Sequence, residues 1–221
     1  MSEALTFEVP GAGPVSALLE RPADANLGYV LAHGAGAGMR HPFLEAMARR
    51  LAARGVATLR YQFPYMEAKQ KRVDSPQTAI AAVRAAVWEA SARLAGLPLI
   101  AGGKSFGARM TSSAAADAEL PGVRGLAFLG FPLHPPGRPD TKRAGHLGRV
   151  TVPMLFLQGT RDDFATLELL EPVVRGLGSL ATLHLVDGGD HSFGVLKSSG
   201  RKQDEVLDEL ADVLSRWGAA Q

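Results

Sequence analysis

The sequence predicts an α/β fold built on a doubly wound, mostly parallel sheet of about eight strands, with helices on both faces. Short apolar runs alternate along the chain with longer segments of helical period. The short runs are almost continuously apolar, which is typical of strands buried on both faces of a parallel sheet. No repeat, low-complexity tract or linker divides the 221 residues, so we expect a single domain over residues 1–221.

Eight apolar runs are assigned as strands. Glycines and prolines at residues 10–14 separate the first two runs, so these are expected to form a hairpin with an antiparallel strand. The later runs are joined through helices, and right-handed crossovers then make those strands parallel. The predicted strands cover residues 6–9, 15–19, 29–32, 56–61, 97–101, 123–129, 152–157 and 181–186.

Start signals and apolar stripes mark the predicted helices. Pro42 suits a first helical position, and Ser75 followed by Pro76 is typical of an N-cap and first turn. The last helix places Val206 and Leu210 on one side, as an amphipathic helix packed on a sheet requires. The predicted helices cover residues 42–54, 76–94, 106–116, 167–177 and 203–217.

Composition excludes several classes of protein. The chain has no cysteine, which rules out a disulfide framework, a thiolate metal site and a cysteine nucleophile. Its formal net charge is +2 and it has no long run of like charges, so no nucleic-acid partner is expected. No apolar stretch reaches the roughly 18 residues of a membrane span. The acidic Glu3 and Glu8 argue against a signal peptide, and we expect a cytoplasmic protein.

The most specific local pattern is Gly103-Lys104-Ser105-Phe106-Gly107, a G-x-S-x-G sequence between a predicted strand and a predicted helix. In this setting the serine occupies a strained strand-to-helix turn, and the glycines let neighbouring backbone pass closely. Its hydroxyl is exposed at the N-terminus of a helix, where the helix dipole favours developing negative charge. We therefore predict that Ser105 is a nucleophile.

A nucleophilic serine needs a base and an orienting acid, which in this architecture follow it in the order acid, then histidine. His191 lies in a glycine-containing loop after the last predicted strand, whereas His184 lies inside that strand. Asp162 and Asp163 both follow the seventh strand; Asp162 is favoured, and Asp163 is either a helix cap or the true acid. Asp190 adjoins His191 and is expected to stabilise the loop, because consecutive side chains diverge.

The oxyanion hole of such a site needs two backbone N–H donors. The residue after the nucleophile, Phe106, supplies the first. The glycine-rich loop at residues 33–38 supplies the second, from Ala35 with Gly36 as the next candidate, because its glycines let the amides turn toward one point. His33 is expected to organise this loop.

Two glycine patterns are similar to nucleotide-binding loops, and both fail on spacing. A phosphate-binding loop ending at Gly103-Lys104-Ser105 requires a glycine at position 98, where the sequence has Pro98. In a dinucleotide fingerprint at residues 34–38 the third glycine comes one residue early, and no acid ends the following strand. We therefore expect no cofactor, and the spacing of the histidines predicts no metal site.

Taken together, these residues resemble the α/β-hydrolase superfamily over nearly the whole chain. A small branch of it includes bacterial dienelactone-hydrolase-like proteins, the testis-expressed protein 30 and a subunit of a chromatin acetyltransferase complex. The resemblance implies Ser105 as nucleophile, Asp162 as acid, His191 as base and residues 33–38 as the oxyanion loop. True dienelactone hydrolases use a cysteine nucleophile, which this chain lacks. The segments that carry the likeness are HGAGAGMRHPF, YQFPYM, GGKSFGARM, FPLHPPGRP, LQGTRDDF and GGDHSF.

These features predict a serine hydrolase that cleaves small carboxyl esters or thioesters through an acyl-enzyme on Ser105. The alternative is a catalytically silent interaction protein on the same fold, as some members of the branch are thought to be. Many relatives insert a cap domain after the sixth strand, and residues 131–149 are too few to form one. The sequence therefore predicts an α/β-hydrolase fold with an open site and no cap domain.

Four side chains are candidates for lining the substrate site: His33, Lys104, Arg109 and His134. Lys104 could equally extend its ammonium to solvent. The loops at the carboxyl edge of the predicted sheet carry a basic excess, which predicts a preference for small anionic acyl substrates. The alternative is a solvated rim without a selective role. No membrane partner is expected, and the sequence does not indicate an oligomeric state.

Overall fold

The computed structural model describes residues 2–221, and its centre is one eight-stranded sheet. The strands are β1 (Glu3–Val9), β2 (Gly13–Glu20), β3 (Leu27–Ala32), β4 (Val56–Tyr61), β5 (Leu99–Lys104), β6 (Val123–Leu129), β7 (Met154–Gly159) and β8 (Ala181–Val186). They lie in the sheet in the order β1-β2-β4-β3-β5-β6-β7-β8. β2 runs antiparallel to both of its neighbours, and the strands from β4 to β8 are parallel. The opening hairpin and the mostly parallel sheet are therefore confirmed.

Helices join the strands, and two of them begin as the sequence predicts. The ring of His41 accepts the backbone N–H of Phe43 at the start of the first helix, and the hydroxyl of Ser75 accepts that of Thr78 at 3.2 Å. Each cap satisfies an N–H group that lacks an acceptor within the helix. The helices are α1 (Pro42–Ala52), α2 (Pro64–Glu67), α3 (Pro76–Arg93), α4 (Phe106–Asp117), α5 (Leu167–Gly176) and α6 (Gln203–Ala219).

The helices cover both faces of the sheet, which explains why the strands read as continuous apolar runs. In β3, Tyr29 and Leu31 pack in a cluster with α1 and α6, whereas Val30 and Ala32 pack in a second cluster with α3, α4 and α5. All six residues of β3 are buried. Complete burial of side chains such as leucine and valine stabilises the fold by about 1.5–3 kcal/mol each.

β5 differs from its prediction in a way that matters for the site. The sequence placed this strand at residues 97–101 and ended it before the glycines, but it extends through Gly102 and Gly103 to Lys104. A Cβ on Gly102 would lie 1.8 Å from the carbonyl oxygen of Ala127, and one on Gly103 would lie 2.3 Å from that of Ala32. The glycines therefore allow the neighbouring strands to pass closely and continue the strand up to Ser105.

Two connections also bear on the site. α2 was not predicted, because four residues opened by Pro64 are too few to show a helical period. Residues 131–149 contain only two short 3₁₀ turns, Lys142–Ala144 and Leu147–Arg149, and form no cap domain. Within residues 2–221, no helix combines the length and the apolar character needed to cross a membrane.

Candidate active site

Ser105 occupies a strained turn between β5 and α4. Its φ of 51° and ψ of −108° are unusual for a residue with a side chain. A Cβ on Gly107 would lie 2.7 Å from the carbonyl oxygens of Ala32 and His33, so glycine is required for the helix to start this close to β3. The backbone N–H of Ser105 donates to the carbonyl of Leu129 at 3.2 Å. This geometry presents the hydroxyl beyond the carboxyl edge of the sheet.

The structure brings Ser105, His191 and Asp162 into one chain of hydrogen bonds. The Ser105 Oγ lies 2.8 Å from Nε2 of His191, and Nδ1 of His191 lies 2.7 Å from Oδ2 of Asp162. Asp162 follows β7 and His191 follows β8, as predicted for the acid and the base. The neighbouring Asp163 is exposed, and its carboxylate forms no hydrogen bond with His191. Such a chain can pass the serine proton to the imidazole when the oxygen attacks a carbonyl.

The carboxylate of Asp162 is buried and accepts three hydrogen bonds. Oδ2 accepts from His191 and from the side-chain amide of Gln158, whose Nε2 lies 2.5 Å away. Oδ1 accepts from the backbone N–H of Phe164 at 2.8 Å. Sequence reasoning missed Gln158, because a single glutamine inside an apolar strand carries no recognisable motif.

The loop that carries His191 is shaped by Asp190 and covered by Phe164. Oδ1 of Asp190 accepts the N–H groups of Ser192 and Gly194, both at 2.8 Å. This agrees with the loop-stabilising role predicted for Asp190. The ring of Phe164 stacks on the imidazole of His191, with centroids 4.1 Å apart and planes inclined by 27°. The stack limits rotation of the imidazole away from Ser105.

Two of the three predicted oxyanion donors have free N–H groups beside Ser105. Within residues 2–221, the backbone N–H groups of Ala35 and Phe106 donate to no protein acceptor. Gly36 differs from its prediction, because its N–H donates to the hydroxyl of Tyr65 at 2.8 Å. The prediction of Gly36 as a donor is corrected on this ground: the amide is already committed to Tyr65. Gly36 instead tethers the loop.

His33 and His134 also differ from their prediction as residues that line the substrate site. Both side chains are buried, and neither borders the cavity at Ser105. Nε2 of His33 accepts the N–H of Phe63 at 3.1 Å, and Nδ1 lies 2.7 Å from the carbonyl of Gly34, so this ring organises the loop. Burial lowers the pKa of His33 to about 4, which keeps the ring neutral. Nδ1 of His134 lies 2.9 Å from the carbonyl of Pro135.

A cavity of about 270 Å³ opens onto Ser105 and His191. Lys104 borders it as predicted, whereas Arg109 does not, and no aspartate or glutamate lines it. The Nζ of Lys104 donates to the carbonyl of His191 at 2.5 Å, and burial lowers the pKa of Lys104 to about 8. Its apolar walls come from Ala35, Ala37, Phe43, Leu44 and Phe164.

A larger apolar groove, about 970 Å³, lies beside the exposed Trp88 on α3. It shares no lining residue with the cavity at Ser105. In the part of the chain that the structure describes, no group of three histidine, aspartate or glutamate side chains is placed to hold a metal ion. The cavity at Ser105 is therefore the place where a small molecule would reach the serine.

Solved structures share this fold over almost the entire chain. A serine hydrolase without a lid, XC6422 from Xanthomonas campestris, is 24% identical, with a TM-score of 0.78 over 100% of this chain and 96% of that one. Dienelactone hydrolase from Anabaena variabilis is 20% identical, with a TM-score of 0.76 over 98% and 96%. Est1E from Butyrivibrio proteoclasticus is 16% identical, with a TM-score of 0.72 over 99% of each chain.

A match to a protein-family model agrees with these structural similarities. The model described as an alpha/beta hydrolase domain matches residues 25–219, which include the turn at Ser105 and the two loops that carry Asp162 and His191. The narrower grouping with the testis-expressed protein 30 and the acetyltransferase complex subunit stays a prediction. The chain belongs to the alpha/beta hydrolase family, in its lidless form.

Proposed function

We propose that this protein is a serine hydrolase that cleaves small carboxyl esters or thioesters through an acyl-enzyme on Ser105. One observation carries the proposal: the hydrogen bonds that join Asp162, His191 and Ser105, at 2.7 and 2.8 Å, end at a serine that borders an open cavity. A protein that acted only through its surface would not need a strained serine held by a base and a buried acid.

The reaction follows from the positions of these groups. As the Ser105 oxygen attacks the acyl carbonyl, Nε2 of His191 takes its proton, and Asp162 stabilises the resulting imidazolium. The N–H groups of Ala35 and Phe106 stabilise the negative charge on the carbonyl oxygen. The imidazolium then protonates the departing alkoxide or thiolate, which leaves the acyl group on Ser105. A water molecule, deprotonated by His191, releases the acid and restores the serine.

The size and lining of the cavity support a small acyl group. Its volume of about 270 Å³ corresponds to about nine water-sized units at roughly 30 Å³ each. The walls at Phe43, Leu44 and Phe164 favour an apolar chain, and residues 131–149 add no cap that would enclose a longer one.

Charge at the cavity supports a preference for anionic substrates. Lys104 contributes a cation to the lining, and no carboxylate lines the same surface. Opposite charges raise the local concentration of a ligand, and salt screens the effect. Hydrolysis of a neutral ester and of an ester with a distal carboxylate, compared at low and high salt, tests this part. Equal kcat/KM values for both esters at low salt would contradict it.

The function itself is tested with p-nitrophenyl acetate and butyrate and with the matching acyl thioesters. We expect turnover with an initial burst of product, because the acyl-enzyme accumulates before water releases it. Ser105→Ala is the control and should remove both burst and turnover. A folded wild-type protein that hydrolyses none of these substrates would overturn the proposal and favour the interaction protein.

A further inference from the structure

Gln158 links the acid of the site to the loop that follows β6. Its side chain lies at the carboxyl end of β7 and is completely buried. Oε1 accepts the backbone N–H of Phe131 at 2.9 Å, and Nε2 donates to Oδ2 of Asp162 at 2.5 Å. A polar side chain buried in a strand between apolar neighbours is costly unless its groups are paired, and both ends of this amide are.

The backbone of Phe131 determines which end of the amide faces Asp162. A backbone N–H can only donate, so the atom that meets it must be the amide oxygen. The amide nitrogen, which carries two N–H groups, is then directed at the carboxylate. Rotation of the amide by 180° would set N–H against N–H at Phe131 and oxygen against oxygen at Asp162. The donor to the carboxylate is therefore fixed by the main chain.

A neutral donor has a specific consequence at this carboxylate. The hydrogen bond from Gln158 stabilises the negative charge of Asp162 without bringing a positive charge to it. The nearby cation, Lys104, donates to the carbonyl of His191 and not to the carboxylate. Lys104 acts on Asp162 through space only, so among the residues that the structure describes no cation is hydrogen-bonded to the carboxylate that faces the imidazolium of His191. Together with the N–H of Phe164 on Oδ1, the amide also fixes the plane of the carboxylate.

We propose that Gln158 is a positioning residue, which holds the carboxylate of Asp162 so that Oδ2 faces Nδ1 of His191. This inference rests on the proposed function of Ser105. Gln158 does not border the cavity at Ser105, so its effect reaches the reaction only through Asp162 and His191. Removing it should therefore lower kcat and leave KM nearly unchanged.

Two variants separate the donor from the volume that the side chain fills. Gln158→Leu removes both hydrogen bonds at similar size, and we expect kcat to fall about 10–100-fold, the usual effect of losing a group that orients a functional side chain. Gln158→Glu keeps an acceptor for Phe131, and while protonated it also keeps a donor for Asp162. A carboxyl group buried beside a carboxylate has a raised pKa, so this donor is lost as the pH rises. We expect the kcat of Gln158→Glu, divided by that of the wild type, to decrease as the pH is raised from 6 to 9.

The control for a lost buried hydrogen bond is Tyr29→Phe, which removes a bond of 2.9 Å to the carbonyl of Ala127 in the same sheet. It should leave kcat unchanged. The proposal is overturned if Gln158→Leu keeps kcat within twofold of wild type, or if both Gln158 variants lose the same factor at every pH.

A second readout does not depend on catalysis. The proton on Nδ1 of His191 should give a far-downfield resonance in the NMR spectrum of the wild type, because it is held against Asp162. We expect this resonance to broaden or disappear in Gln158→Leu and to remain in Tyr29→Phe. An unchanged resonance in Gln158→Leu would overturn the role of Gln158. Absence of hydrolysis in the wild type would overturn only the proposed function.

Discussion

The hydroxyl of Tyr65 accepts the backbone N–H of Gly36 at 2.8 Å, and this bond decides which amide of the glycine-rich loop is free. The ring of Tyr65 also meets that of Phe106 edge to face, with centroids 6.4 Å apart. Tyr65 thus contacts both sources of the candidate oxyanion hole. Because Tyr65 lies in α2, the loop that holds Ala35 is hydrogen-bonded to this four-residue helix.

Tyr65→Phe should lower kcat about tenfold with little change in KM. Loss of one oxyanion donor lowers kcat about 10²–10³-fold. In Tyr65→Phe the N–H of Ala35 is still present, but its loop loses the hydrogen bond from Gly36 to Tyr65, so the expected loss is smaller. Tyr61→Phe is the matched control, because the Tyr61 hydroxyl forms no hydrogen bond among residues 2–221. Steady-state kinetics on a short p-nitrophenyl ester measure both variants. A Tyr65→Phe enzyme with kcat within twofold of wild type would contradict the role of this bond.

Asp162→Asn should reduce kcat by about 10³–10⁴, because an amide favours the wrong tautomer of the imidazole. Asp163→Asn, one residue along and exposed, should stay within a few-fold of wild type. The two neutral substitutions are of equal size, so the comparison isolates the contact between Oδ2 of Asp162 and Nδ1 of His191. Equal losses in the two variants, or a larger loss for Asp163→Asn, would show that the acid is assigned wrongly.

Tyr61→Phe should stabilise the protein by about 1 kcal/mol. The Tyr61 hydroxyl is buried and finds no hydrogen-bond partner among residues 2–221, and burial raises its pKa. Removing an unpaired buried hydroxyl removes its desolvation cost. For a chain of this size, 1 kcal/mol corresponds to a rise in Tm of about 2–4 °C. A lower Tm in the variant would contradict this reading of the site.

Lys104→Met should change stability in a way that depends on pH. Burial lowers the pKa of Lys104 from 10.5 to about 8 in the folded protein. Between these values the unfolded chain binds more protons at this site, so the wild type gains stability as the pH rises from 8 to 10.5. The stability of Lys104→Met relative to wild type should be highest below pH 8. This difference in the free energy of unfolding should shrink by about 2–3 kcal/mol by pH 10.5.

Urea unfolding at pH 7, 9 and 10 measures the difference between wild type and Lys104→Met. The substitution Lys71→Met, at an exposed position, is the control. If the free-energy difference between wild type and Lys104→Met is the same at all three pH values, the ammonium of Lys104 is not desolvated in the folded state.

Much of this architecture is readable in the sequence because local signals and the final packing agree. Strand β4, buried on both faces, begins at Val56 and ends at Tyr61, as predicted. The turn at Ser105 could be predicted because a short motif follows a strand and precedes a helix. The order of Asp162 and His191 along the chain follows from the parallel sheet, whose carboxyl ends share one edge.

What the sequence leaves open depends on contacts between distant residues. Gln158 and Asp162 meet through a turn, but the N–H that orients the amide belongs to Phe131, 27 positions away. The hydroxyl of Tyr65 accepts the N–H of Gly36, 29 positions away. His33 and His134 were predicted to line the substrate site, yet both rings are buried, lie against nearby backbone carbonyls and do not border the cavity. No periodicity or motif encodes such pairs.

The most direct measurement of the central claim is reaction of the folded protein with a fluorophosphonate. This reagent forms a covalent bond to a serine oxygen that a neighbouring base has activated. Intact mass and peptide mapping should show one adduct on Ser105 in the wild type, and none in Ser105→Ala. Folded wild-type protein that remains unlabelled, or carries its label on another residue, would contradict the assignment of Ser105 as the nucleophile.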